Sequence, residues 1–201
     1  MLNKFHMFFF SFIFFGLQLV AGELNGGLYK TVSTEAARFH SEEYKFFFGD
    51  DNKDGFIKVE NNFRYGDNLP YGYDLESKPE GANPYFFSVA LPEGNYRVTV
   101  VLGNNSYVTN TTIRSESRRL MLENINTSSG EFVTKSFIVN IRNTQIDEER
   151  SVRLKTREIG KLNWDEKLTL EINGTRPALV EMIISKADVA TIFLAGNSTV
   201  T

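Results

Sequence analysis

Tyr96, Val98, Val100 and Leu102 alternate with Arg97 and Thr99, a period of two that turns apolar side chains to one face of an extended strand. Phe137, Val139 and Ile141 alternate with Ile138, Asn140 and Arg142 in the same way, and Leu168, Leu170 and Ile172 alternate with Thr169 and Glu171. No window of a dozen residues keeps a 3.6 period, so a helical bundle or coiled coil is excluded. Between the strands lie breakers. Residues 44–48 and 56–59 flank Asp50-Asp51-Asn52-Lys53-Asp54-Gly55, read as a hairpin turn; 86–91 and 96–102 flank Pro92-Glu93-Gly94-Asn95. Asn173-Gly174 is expected to turn the chain toward the apolar run 179–184. Eight to ten antiparallel strands over roughly 140 residues predict a mainly β chain with a jelly-roll (galactose-binding-like) β-sandwich over 44–187.

Composition narrows the class further. Hydrophobic residues are 41% and charged residues 23%, a globular balance rather than a disordered one. The absence of Cys removes disulfides and thiolate chemistry together. A net charge of −3 with both signs interspersed argues against a nucleic-acid partner.

Residues 1–22 read as a secretory signal peptide. Lys4 supplies the positive start, Met7 to Phe15 an apolar run too short to cross a bilayer, and Val20-Ala21-Gly22 the small residues of a cleavage site. Export to the periplasm or exterior is therefore expected, with no membrane attachment after cleavage; lipoprotein anchoring would require a Cys. Residues 23–43, polar and containing Gly26-Gly27, read as an arm or linker.

Three features invite a ligand. Tyr65, Tyr71, Tyr73 and Tyr85 sit among Gly, Asn, Pro and Asp, with Asp67, Asn68 and Asp74 nearby. Aromatics on an exposed loop stack on sugar rings while carboxylates take the hydroxyls, which makes Tyr65, Tyr71, Tyr73 and Asp74 the candidate sugar contacts. The alternative is that these tyrosines cover the open end of the sandwich. Asp50 to Gly55 imitates the opening of a calcium loop, but its twelfth position is Asn61, where a bidentate Glu is needed; no metal or cofactor site is expected. Trp164 is expected between the sheets, and Arg118-Arg119 and 150–157 on solvated strand faces. Asn104, Asn110, Asn126, Asn173 and Asn197 begin Asn-x-Ser/Thr triplets, polar loop residues in a bacterial product and glycan acceptors in a eukaryotic secreted one.

The last fourteen residues differ. Thr191-Ile192-Phe193-Leu194-Ala195 is apolar on both faces, as in a buried parallel strand, and Gly196-Asn197-Ser198-Thr199-Val200-Thr201 follows. This block resembles the first conserved block of SGNH (GDSL-like) hydrolases in the version found in rhamnogalacturonan acetylesterases. Phe86 to Val100, Ser115 to Glu123 and Leu162 to Glu171 resemble the β-sandwich that precedes the hydrolase domain in bacterial members.

The resemblance implies that 188–201 opens an α/β SGNH domain and that Ser198 is its nucleophile. It also implies that the parent is an exported carbohydrate esterase acting on acetylated pectic cell-wall polysaccharide. Asn197 departs from the family's Asp, and the family's later Gly, Asn and Asp-x-x-His blocks are missing. Without that base Ser198 is a poor nucleophile, so these 201 residues alone are expected to be inactive. The competing expectation is a non-catalytic carbohydrate-binding or adhesion module. In either case the uncovered segment 188–201 should dock opportunistically on the sandwich, fray or associate through its edges.

Overall fold

The computed structural model describes residues 43–66, 68–79 and 84–192, all within one unit of the chain, His40–Thr201. The signal segment, residues 23–42 of the arm, Asp67, Phe193 to Ala195, Asn197 and Ser198 lie outside the described residues.

Among the described residues there are ten strands: β1 (Glu43–Phe47), β2 (Ile57–Lys58), β3 (Tyr71–Asp74), β4 (Tyr85–Ala90), β5 (Gly94–Gly103), β6 (Thr109–Ser115), β7 (Arg119–Thr127), β8 (Phe132–Ile141), β9 (Lys167–Arg176) and β10 (Leu179–Lys186). They form two five-stranded sheets. Sheet I has the order β2-β1-β10-β5-β8 and sheet II the order β3-β4-β9-β6-β7. From β4 onward the chain crosses from one sheet to the other at every connection except the β6–β7 turn, in the manner of a jelly roll.

The period-two residues explain why the two sheets pack together. Tyr96, Val98, Val100 and Leu102 of sheet I are at most 3% exposed, and Phe87, Val89, Leu168, Leu170 and Ile172 of sheet II at most 1%. They belong to one continuous core. Burying each such side chain contributes about 1.5–3 kcal/mol, which lets a chain without disulfides rest on packing alone. Phe46 of β1 anchors one corner, its ring centroid 5.1 Å from Tyr71 and 5.4 Å from Phe87 across the sandwich.

Several local expectations are corrected. β1 and β2 pair in parallel, Phe46 beside Ile57, so residues 48–56 are a crossover loop and not a hairpin turn. Lys53 closes that loop by pairing with Glu181 and lying 4.4 Å above the Phe56 ring. The Pro92–Asn95 turn carries the chain from sheet II to sheet I, since β4 pairs with β3 and β9 and β5 with β10 and β8. Asn173-Gly174 does not turn the chain at all. It lies inside β9, where the β6–β9 register shifts between Asn110 and Thr112. A Cβ on Gly174 would sit 2.1 Å from the Asn110 carbonyl oxygen, so glycine is required there by close backbone approach rather than by a turn.

Residues 143–166 form no named strand, only a 3-10 turn at Thr156–Glu158, so Arg150 to Arg157 are loop residues and not a strand face. Arg118 is exposed in the β6–β7 turn, whereas Arg119 is half-buried and donates to the Asn140 carbonyl at 3.1 Å. Between Ala187 and Thr191 the chain docks on the sandwich. Asn95 Nδ2 donates to the Val189 carbonyl at 3.0 Å and to Thr191 Oγ1 at 2.7 Å, and Asn140 Nδ2 donates to Asn95 Oδ1 at 3.0 Å. Thr191 and Ile192 are not in a strand, and Ile192 is 83% exposed.

Candidate functional site

Because Leu168, Leu170 and Ile172 of β9 point into the core, Lys167, Thr169 and Glu171 point to the opposite face of sheet II. On β4 the same alternation turns Ser88 outward between Phe87 and Val89. Ser88 stands beside Thr169 across the ladder, their hydroxyls 2.8 Å apart. A serine and a threonine on an outer face are ordinarily wet, yet these two are 0% and 1% exposed. Their partners explain why that burial is tolerated. Ser88 Oγ donates to Asp74 Oδ2 at 2.7 Å, and Lys167 Nζ donates to the same oxygen at 2.7 Å.

Tyr65 completes the group. The short segment before β3 runs alongside it: Tyr65 N–H donates to the Tyr73 carbonyl, and Tyr73 N–H to the Phe63 carbonyl, both at 3.0 Å. Gly72 permits this approach, since a Cβ there would lie 2.6 Å from Tyr65 N. The placement brings Lys167 Nζ 4.8 Å from the centroid of the half-buried Tyr65 ring.

Of the four expected sugar contacts, the structure brings Tyr65 and Asp74 together around Lys167. Tyr71 and Tyr73, at 9% and 2% exposure, lie in the core, where they pack on Phe46 and Phe87; Tyr85 is buried with them at 5%. Inward Tyr71 and Tyr73 follow from the same period two that turns Asp74 out. Lys167, Ser88 and Thr169 were not anticipated. Their signal was a lone Ser within the apolar run of β4 and the polar residues at the outward positions of β9.

A second polar group adjoins the first where β6 ends. Glu116 has φ +53° and Arg118 φ +75°, a conformation that non-glycine residues adopt at a cost. The turn brings the Glu116 carboxylate back onto the ladder, where Oε1 accepts from Thr169 N–H at 3.2 Å. Asn163 Oδ1 accepts from Ser117 N–H at 3.1 Å, tying the loop that carries Trp164 and Asp165 to this turn. Trp164 is half-buried there, with the Arg142 guanidinium 4.8 Å above its ring, and so is not wedged between the sheets. Asp165 Oδ1 and Arg142 Nε are buried with no protein hydrogen-bond partner.

The electrostatics differ along this surface. Burial works to raise the Asp74 carboxyl, but hydrogen bonds from Lys167, Ser88 and the Leu75 N–H, with the Lys167 charge, hold it below its ordinary value. Asp165 is raised by burial despite Lys167. Glu116 is pushed up to about 8, chiefly by burial and also by Asp165, against the Thr169 hydrogen bond and the charges of Arg119 and Arg142.

A raised carboxyl binds its proton more tightly in the folded state than in the unfolded one. The contribution of Glu116 is therefore fully present below its ordinary 4.5 and is lost as pH rises through about 8. The denaturation midpoint should accordingly fall between about pH 5 and pH 8.5, and Glu116→Gln should flatten that fall. An equally steep fall in the variant would assign it to another group.

Among the described residues no three His, Cys, Asp or Glu side chains gather as a metal site, and no helix is long and apolar enough to cross a membrane. The surface instead offers the half-buried Tyr65 ring with the Lys167–Asp74 pair beside it, the carboxylate held by the buried Ser88 hydroxyl.

No family model matches the chain. Over 132 residues it is 27% identical to a protein named Beta-agarase A from Zobellia galactanivorans, a match covering 55% of this chain and 24% of the agarase. Among solved structures, the YxiM protein of Bacillus subtilis aligns with a TM-score of 0.47 and 20% identity, over 72% of this chain and 40% of that one. The family 35 carbohydrate-binding module (CBM35) of Paenibacillus barcinonensis aligns with a TM-score of 0.32 and 13% identity, over 72% and 98%. The chain thus spans about a quarter of the agarase and two fifths of the Bacillus protein.

Proposed function

We propose that the sandwich is a non-catalytic polysaccharide-binding module of the galactose-binding-like type, carried by an exported carbohydrate-active protein. The observation that carries this reading is the convergence of Tyr65, Lys167 and Asp74 on the outer face of sheet II, backed by Ser88 and Thr169. A sugar presents an apolar ring face bordered by hydroxyls, and this surface places a ring beside a charged pair that a buried hydroxyl holds in position. Similarity to a protein named Beta-agarase A supports a carbohydrate context, and the signal-like segment 1–22 supports export. Tyr65→Ala should weaken polysaccharide binding by roughly tenfold or more, read as lost retardation in a gel containing the polysaccharide. The melting temperature should stay near that of the unaltered protein, because Tyr65 lies outside the core cluster. Undiminished retardation of the variant would place binding elsewhere.

A second reading concerns the protein that carries the module. Thr191 to Thr201, with the three upstream segments, resembles an acetylesterase of the rhamnogalacturonan type, and Ser198 is the nucleophile in that reading. The sandwich then serves as its accessory domain, and activation of Ser198 requires a His base oriented by an Asp. The 201-residue chain should release no acetate from an acetylated pectin. Acetate release abolished by Ser198→Ala would show that a base within the chain activates the serine.

A further inference from the structure

We infer that the Tyr65–Lys167–Asp74 surface selects uncharged sugar units, with hydroxyl and acetal oxygens but neither carboxylate nor sulfate. This rests on the polysaccharide-binding reading above and specifies its ligand. A site for an acidic sugar needs a cation with bonding capacity turned toward the ligand. Lys167 is the ammonium here, and it is committed: its Nζ lies 2.7 Å from Asp74 Oδ2, and the two side chains are 18% and 16% exposed.

The neighbouring charges reinforce the point. The groups acting electrostatically on Tyr65 are one ammonium, Lys167, and three carboxylates, Asp74, Asp165 and Glu166. The next cation along the outer face, Arg114, is paired with Glu171. Farther off, toward the Trp164 loop, Arg119 donates to the Asn140 carbonyl and Arg142 lies over the Trp164 ring. A carboxylate or sulfate arriving at the Tyr65 ring would meet mainly carboxylates, and among the described residues the one cation acting on that ring, Lys167, is already paired. A hydroxyl, unlike either anion, can donate to the Asp74 carboxylate. Pectic backbone is a polyuronate, so this inference separates the ligand of the module from the substrate of the esterase reading.

The test is affinity electrophoresis of the protein in gels containing agarose, carrageenan or polygalacturonate, at low salt and in added sodium chloride. Agarose and carrageenan share a galactan character and differ in sulfate. The expected result is retardation by agarose that added salt leaves unchanged, with no retardation by either polyanion. Asp74→Asn, which keeps the shape and releases Lys167, should gain salt-sensitive retardation by polygalacturonate. Salt-sensitive retardation of the unaltered protein by a polyanion would overturn the inference while leaving the polysaccharide-binding reading intact. Retardation by none of the three would overturn both. If Asp74→Asn loses its cooperative melting transition, Glu171→Gln, which releases Arg114 on the same face, serves in its place: newly acquired salt-sensitive retardation by polygalacturonate supports the inference, and its absence overturns it.

Discussion

Phe46→Ala should lower the stability of the sandwich by about 3–5 kcal/mol, the range for truncating a fully buried phenylalanine. Phe46 is 0% exposed and touches both sheets, with ring centroids at 5.1 Å from Tyr71 and 5.4 Å from Phe87. Tyr44 stacks beside it at 6.4 Å, and Met182 faces it across the β1–β10 ladder. These neighbours come from four strands, so no single shift can close the void. For a domain of this size the melting temperature should fall by roughly 10 °C or more. Phe132→Ala is the matched control, since Phe132 is 43% exposed on β8; it should cost no more than about 0.5 kcal/mol. Equal losses from the two variants would mean that the sandwich is not closed at the Phe46 corner.

Gly174→Ala should destabilise by about 2–4 kcal/mol, from overpacking together with backbone strain. The added Cβ would meet the Asn110 carbonyl oxygen at 2.1 Å and carbon at 2.9 Å, and the position has φ +134°. The obstruction is backbone of the adjoining strand, so it cannot rotate away as a side chain would. Relief requires β6 and β9 to separate where Asn110 pairs with Arg176. Chemical denaturation read by circular dichroism gives the value. Gly55→Ala provides a comparison, because its Cβ meets nothing within 4 Å and only its φ of +76° resists. A variant at Gly174 no less stable than the one at Gly55 would show that the two strands are not in close approach.

How the two residues were legible in the sequence differs. Phe46 stands in an apolar run, and its inward direction follows from the alternation that buries Tyr44 with it. Gly174 follows Asn173, a pair that signals a turn when only neighbouring residues are considered. The need for glycine instead comes from Asn110, more than sixty positions away, and local sequence carries no trace of that contact. The same limit governs the 50–55 loop: its turn residues are real, yet β1 and β2 meet in parallel while β10 holds the other edge of β1.

By itself, the sequence determined the mainly β class and the approximate strands. Strand periodicity is a local property, written in which side chains are apolar at every second position. The tertiary structure decided which strand lies beside which, and with it the candidate site. Tyr65 and Asp74 stood out as polar and aromatic loop chemistry, but so did Tyr71 and Tyr73, and only packing separates a core tyrosine from a surface one. Lys167 entered from 93 positions beyond Asp74, because β4 bridges β3 and β9 and sets both residues on one face. A hydrogen bond between distant segments depends on sheet order, and sheet order is a property of how the whole core closes.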